Sequence, residues 1–195
     1  DYELCNTETA HIVFDPLMIH NGLAPYVYTW SQTPVPAECG MTVADNGVEA
    51  DVWALRGEGY NTSAQFIMTI QDAYGCVTTD TSNAIRWFGI PDVTIIEAYN
   101  NDDYPHTAPV VVCPTFGHYL LTTVDHSNLP IAENQNLTYV WSGEAIDYTS
   151  TTKNSFIAVN ENICEREYTA YVEVTNAKGC KATASYTITA NDTEA

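Results

Sequence analysis

The chain has 195 residues, 45% of them hydrophobic, with 25 acidic against 6 basic residues and a formal net charge of −19. Such a polyanion does not bind nucleic acid through its phosphates and is repelled by anionic membranes. The length suits two domains with a core each, no apolar stretch approaches the roughly 18 residues of a membrane span, and the absence of a leader before Asp1 is the pattern of a mature product or an excised piece.

Asp1 to Leu4 leads into Cys5, the first landmark. Tyr28-Thr29-Trp30-Ser31 reads as a strand, and a Pro-rich loop from Thr33 to Cys39 follows it. From Gln65 to Ile70 the apolar residues Phe66, Met68 and Ile70 fall on alternate positions, the period of a half-buried strand. The next residues are Gln71-Asp72-Ala73-Tyr74-Gly75-Cys76. An Asx side chain and a glycine at these offsets make a tight turn, so Val77 to Ile85 returns as the second arm of a hairpin. Trp87 and Phe88 are expected to pack at a domain junction. Asp92 to Ala98 reads as a strand, and the loop Asn100-Asn101-Asp102-Asp103 separates it from Cys113.

The same landmarks then recur in the same order. Tyr139-Val140-Trp141-Ser142 repeats the Trp strand, and Ala170, Val172 and Val174 repeat the alternation. Thr175-Asn176-Ala177-Lys178-Gly179-Cys180 repeats the turn, with Lys181 to Thr189 as the returning arm. No long stretch has helical periodicity, and Asn160 to Glu167 reads as a loop. Abundant Tyr, Thr and Val favour strands. The expectation is an all-β chain of two tandem Ig-like/PKD-like β-sandwich domains, residues 1–89 and 90–195. The strand at Asp92 to Ala98 has no counterpart before Cys5. The first domain is therefore expected to lack its first strand, which leaves an open edge for a neighbouring chain or points to a longer array.

Six cysteines in a lysine-poor β-chain point to an oxidising compartment. The repeat makes Cys5–Cys76 and Cys113–Cys180 equivalent pairs. It leaves Cys39 and Cys164 as interdomain or interchain candidates, although Cys39 to Cys5 is an alternative pairing. Zinc is disfavoured, because no Cys-x-x-Cys and no paired His occurs. Trp30 and Trp141 hold mid-strand positions in both copies, which favours a core tryptophan over a sugar platform.

Asp125-His126-Ser127 has the letters of a hydrolase triad, but strand neighbours point to opposite faces, and no nucleophile, base and oxyanion site can be assembled. The chain is read as no enzyme. Hard oxygen ligands in loops can hold calcium. The candidates are Asn100, Asp102 and Asp103 in one loop, with Asp45 and Asp51 elsewhere. Otherwise no cofactor is expected. Asn61, Asn136 and Asn191 fit the Asn-glycosylation pattern.

The order VVVCP, YVWSG, YVEVTNAKGC resembles the PKD-like and Ig-like repeats of secreted Bacteroidetes surface proteins, which occur in gliding-motility-type adhesins and other type IX secretion cargo. The match lies at the landmarks of both domains. The first domain departs from it in the Pro-rich loop and the third Cys. The resemblance implies β-sandwiches at the cell surface with a structural or adhesive role. The expected protein is a segment of an adhesin stalk or a filament subunit assembling head to tail. Its partners would be copies of itself or neighbouring repeats, not nucleic acid or a membrane. The alternatives are a carbohydrate- or protein-binding module appended to a secreted enzyme, or an Ig-type receptor ectodomain.

Overall fold

In a computed structural model, the chain is described over residues 2–15, 19, 22–33, 39–55, 60–97, 118–125, 136–143, 151–158 and 166–190. It divides into two compact units, Asp1–Ile90 and Pro91–Ala195.

The first unit contains β1 (Tyr2–Cys5), β2 (Thr9–Val13), β3 (Val27–Thr33), β4 (Cys39–Val43), β5 (Glu49–Ala54), β6 (Thr62–Gln71), β7 (Val77–Thr81) and β8 (Ile85–Phe88). One sheet runs β1-β8-β6-β3 with β7 also on β6, and the other runs β2-β5-β4. Phe66, Met68 and Ile70 are buried, as their alternation requires. Phe66 and Trp87 meet edge to face, with ring centroids 6.5 Å apart. These two join Val52, Ala50, Ala10 and Cys39 in the core between the sheets, with Trp30 half-buried against them. Trp87 is completely buried and donates its indole N–H to Glu8 O at 3.1 Å, so it belongs to the first unit's core and not to a junction. Phe88 is also buried.

The returning arm of the first hairpin is not one strand but two. β7 pairs with the Ile67–Gln71 half of β6, and β8 pairs with the Thr62–Ala64 half. Between them, residues 82–84 face only Gln65 and Phe66, so the arm carries one extra residue, a β-bulge. Ser82 holds it. Its N–H donates to Phe66 O at 2.8 Å, and its Oγ accepts the Phe66 N–H at 2.9 Å. Beyond the bulge, β8 pairs in parallel with β1, Cys5 lying opposite Phe88.

The second unit contains β9 (Val93–Glu97), β10 (His118–Asp125), β11 (Thr138–Gly143), β12 (Asn154–Ala158), β13 (Arg166–Thr175) and β14 (Lys181–Ala190). Its sheets run β12-β10-β9 and β11-β13-β14. Here the hairpin is unbroken, with Arg166 opposite Ala190 at one end and Thr175 opposite Lys181 at the other. Trp141, Ala170, Val172 and Val174 are buried with Ile95 and Tyr168 in one core. The chain is all-β, two sandwiches in tandem, and the described residues include no helix long and apolar enough to cross a membrane.

Candidate functional site

The two Gly-Cys turns are the same object built twice. In the first, Asp72 Oδ1 accepts the N–H groups of Tyr74 and Cys76, each at 2.9 Å. In the second, Asn176 Oδ1 accepts those of Lys178 at 2.9 Å and Cys180 at 3.0 Å. Asp72 N–H donates to Cys76 O, and Asn176 N–H to Cys180 O, both at 3.0 Å. Gly75 and Gly179 both have φ of 84°, the left-handed conformation that glycine adopts without a Cβ penalty. The Cys76 N–H, with lesser help from those of Leu23 and Tyr74, holds the Asp72 carboxyl below its ordinary 3.8, against an opposing effect of desolvation that only the Cys76 bond exceeds. The indoles repeat as well. Trp30 donates to Gly47 O and Trp141 to Thr152 O, both at 2.9 Å, and each acceptor stands two residues before the next strand, β5 or β12.

The cysteines at these turns differ. Cys180 is buried and disulfide-bonded, whereas Cys76 is exposed and free. Cys5 is disulfide-bonded, so the expected Cys5–Cys76 bridge is not formed. The topology explains why. β1 lies along β8, which pairs with the Thr62 end of β6, and Cys76 lies beyond the Gln71 end. Those ends are about 30 Å apart at the rise of a strand, whereas a disulfide needs Cα atoms within about 7 Å. Cys113 and Cys164 lie outside the described residues, and the pair Cys113–Cys180 with them. Cys39 opens β4 opposite Ala54 and is 3% exposed, which does not suit a bridge to a neighbouring chain.

The remaining candidates are dispersed. Asn100, Asp102, Asp103 and Asn191 lie outside the described residues, as do His126 and Ser127. Asp45 is in the turn between β4 and β5, whereas Asp51 lies within β5 opposite Thr42 and His11, so one loop does not gather them. Among the described residues no three His, Cys, Asp or Glu side chains form a metal-binding group. Asn61 is half-buried and accepts the Gly89 N–H at 2.8 Å, while Asn136 is exposed.

One surface constellation was not foreseen. On β5 the residues Ala50, Val52 and Ala54 are buried, so Glu49, Asp51 and Trp53 face outward. His11 on β2 stands between the two carboxylates, with Nδ1 2.8 Å from Asp51 Oδ1 and Nε2 3.8 Å from Glu49 Oε2. Trp53 lies over Gly40, its cross-strand partner on β4. A Cβ at residue 40 would overlap the indole, so only glycine fits beneath it. The result is an indole beside a carboxylate–imidazole–carboxylate row. The sequence held no sign of it, because His11 and Trp53 come together only through strand pairing.

No protein-family model and no curated protein matches the chain. Solved structures similar to it include a Bacteroides ovatus mixed-linkage glucan utilization locus protein, SGBP-B, in complex with a heptasaccharide. It is 14% identical with a TM-score of 0.31, over 96% of this chain and 42% of that one. This chain thus spans less than half of that protein's length. The amphioxus IgVJ-C2 molecule is 12% identical at 0.36, over 96% and 99% of the two chains. The fibronectin(III)-like modules of Clostridium thermocellum CbhA are 9% identical at 0.33, over 98% and 90%. At these scores the fold assignment rests on strand pairing and register alone, and these give two Ig-like sandwiches.

Proposed function

We propose that the chain is a structural or adhesive segment of an extracellular protein, a stretch of adhesin stalk or a filament subunit of the secreted Bacteroidetes type, without catalytic activity. The observation that carries this reading is the duplication of framework contacts. The indole–carbonyl bond and the Asx–Gly–Cys turn recur almost atom for atom, while the loops between them vary. A unit whose frame is copied and whose loops drift is the pattern of repeat architecture. Two disulfide-bonded cysteines support an oxidising compartment. The charge of −19 supports a hydrated surface that resists non-specific association. Immunogold labelling of intact producing cells with antibodies to residues 1–195 tests the reading. Label along surface fibres or a surface coat is the expected result. Label that appears only after the cells are broken would sink it.

A second reading, a saccharide-binding module, is favoured by the outward indole of Trp53 beside Asp51 and His11. An aromatic face with polar groups at its side suits a sugar ring. Calorimetry against soluble polysaccharides, with Trp53→Ala as control, decides it. Binding that the substitution abolishes would establish this reading, and no binding to any of them would remove it.

A further inference from the structure

The sheets β2-β5-β4 and β9-β10-β12 share a central pair, β2-β5 matching β10-β12, and differ in the strand that flanks it: β4 lies beside β5 in the first unit, and β9 lies beside β10 in the second. A shared hydrogen bond aligns them. Phe14 N–H donates to Val48 O at 2.8 Å in the first unit, and Thr123 N–H donates to Lys153 O at 2.9 Å in the second. The residues just before these donors therefore correspond: Val13, opposite Glu49, and Thr122, opposite Asn154.

In an antiparallel ladder, successive residues turn their N–H and C=O groups alternately to one neighbour and to the other. Phe14 and Thr123 turn theirs toward β5 and β12. Val13 and Thr122 therefore turn theirs to the opposite edge. There Thr122 meets Ile96 of β9. Among the described residues no strand pairs with that edge of β2. By the same alternation, Thr9 and His11 also present their backbone groups outward.

Side chains carry the same signature. Thr123, under β9, is 8% exposed, and Ile95 opposite it is buried in the second unit's core. Phe14, in the matching place, is only half-buried, as is the inward Ile12. From Thr9 to Val13 there is no Pro, no Lys and no break in register.

We propose that this edge of β2 is a strand-acceptor site. It takes, antiparallel, an extended segment of another polypeptide with alternating β-branched apolar residues, the chemistry of Val93–Glu97. The second unit identifies the occupant, because it shows such a strand on the corresponding edge. Backbone hydrogen bonds at Thr9, His11 and Val13 provide the attachment. An apolar side chain in the place of Ile95 covers Phe14 and Ile12. This site does not depend on the adhesive reading, so either can fail alone.

The probe is a peptide of the sequence Asp92–Ala98 with two added lysines for solubility, titrated into the whole chain. Hydrogen exchange should slow at the amides of Thr9, His11 and Val13. A peptide N-methylated at alternate residues, which cannot complete the ladder, should not bind. Val13→Pro removes an outward N–H and leaves the β5 ladder intact, as edge strands allow. It should weaken binding about tenfold, the effect of one lost hydrogen bond, with the thermal transition in place. No binding at millimolar peptide, equal binding of the N-methylated peptide, or protection at a different edge would each overturn the proposal. So would protection of residues 9–13 that rises with protein concentration and no peptide, which would assign the edge to a second copy of the chain.

Discussion

Trp141→Phe measures what the repeated indole contact is worth. Trp141 is 1% exposed, packs against Ala170, Val172, Val174 and Ile95, and donates Nε1–H to Thr152 O at 2.9 Å. Phenylalanine keeps a six-membered ring and removes the pyrrole portion with its donor. The lost apolar contact is on the order of 40 Å², worth about 1 kcal/mol. The lost hydrogen bond adds about 1 kcal/mol, and the residual void adds up to about 1 kcal/mol more. The second unit should lose about 2–3 kcal/mol, a fall in Tm of roughly 10–20 °C for a unit of its size. The four tryptophans make the assay specific. Trp30, Trp53 and Trp87 are all in the first unit, and Trp141 is the single one in the second. Tryptophan fluorescence of the variant therefore reports only the first unit, while far-UV circular dichroism reports both. A dichroism transition that moves down while the fluorescence transition stays is the expected result. A shift below about 3 °C, or equal movement of both signals, would refute the assignment of Trp141 as the keystone of the second core.

Three further outcomes follow from the turns. Asn176→Ala leaves the N–H groups of Lys178 and Cys180 without their acceptor, and since Cys180 is buried it should destabilise the second unit by about 2 kcal/mol in urea titration; Asn176→Asp, which restores the side chain found at residue 72, should recover most of the loss. Asp72 has a folded pKa below its unfolded 3.8, so its contribution is present above 3.8 and disappears as the pH falls through the lower folded value; acid titration of Asp72→Asn should lack that component, and an unchanged acid profile would exclude it. Cys76, free and exposed, should be alkylated by iodoacetamide in the native chain, whereas Cys180 should resist until reduced, as peptide mass mapping will show.

The hairpins were legible because their signals are local. Alternation at Phe66, Met68 and Ile70, and an Asx–Gly turn just after, need no knowledge of the rest of the chain. Repetition then identified Trp30 and Trp141 as framework residues. The expectations at Cys5 and Trp87 fail for two different reasons. Repetition tells which residues correspond, not at which end of a strand they fall. Cys5 was matched to Cys76 because both sit at repeated landmarks, but the parallel pairing of β1 with β8 puts them at opposite ends of β6. Trp87 reads as a junction residue because nothing local to it marks the bulge that turns it inward. The His11–Asp51 contact depends on the register of β2 against β5, which the residues do not encode locally.

The Ser82 bulge also acts as a reading frame. Along β6 the even residues face the core, and register fixes which residues of the returning arm share that side. Before the bulge they are even-numbered, Thr78 opposite Ile70 and Asp80 opposite Met68. After it they are odd-numbered, Ile85 opposite Ala64 and Trp87 opposite Thr62. Deleting any one residue of 82–84 would leave two residues facing Gln65 and Phe66 and make the ladder regular, with Ile85 still opposite Ala64 and Trp87 still opposite Thr62. The second hairpin has no such slack: its ladder is continuous from Thr175 opposite Lys181 to Arg166 opposite Ala190, so one residue deleted within β14 would shift everything beyond it by one place and turn its inward side chains outward. A one-residue deletion is thus absorbed at the bulge of one copy of the repeat and flips a strand in the other, so the two halves of this chain diverge by different rules.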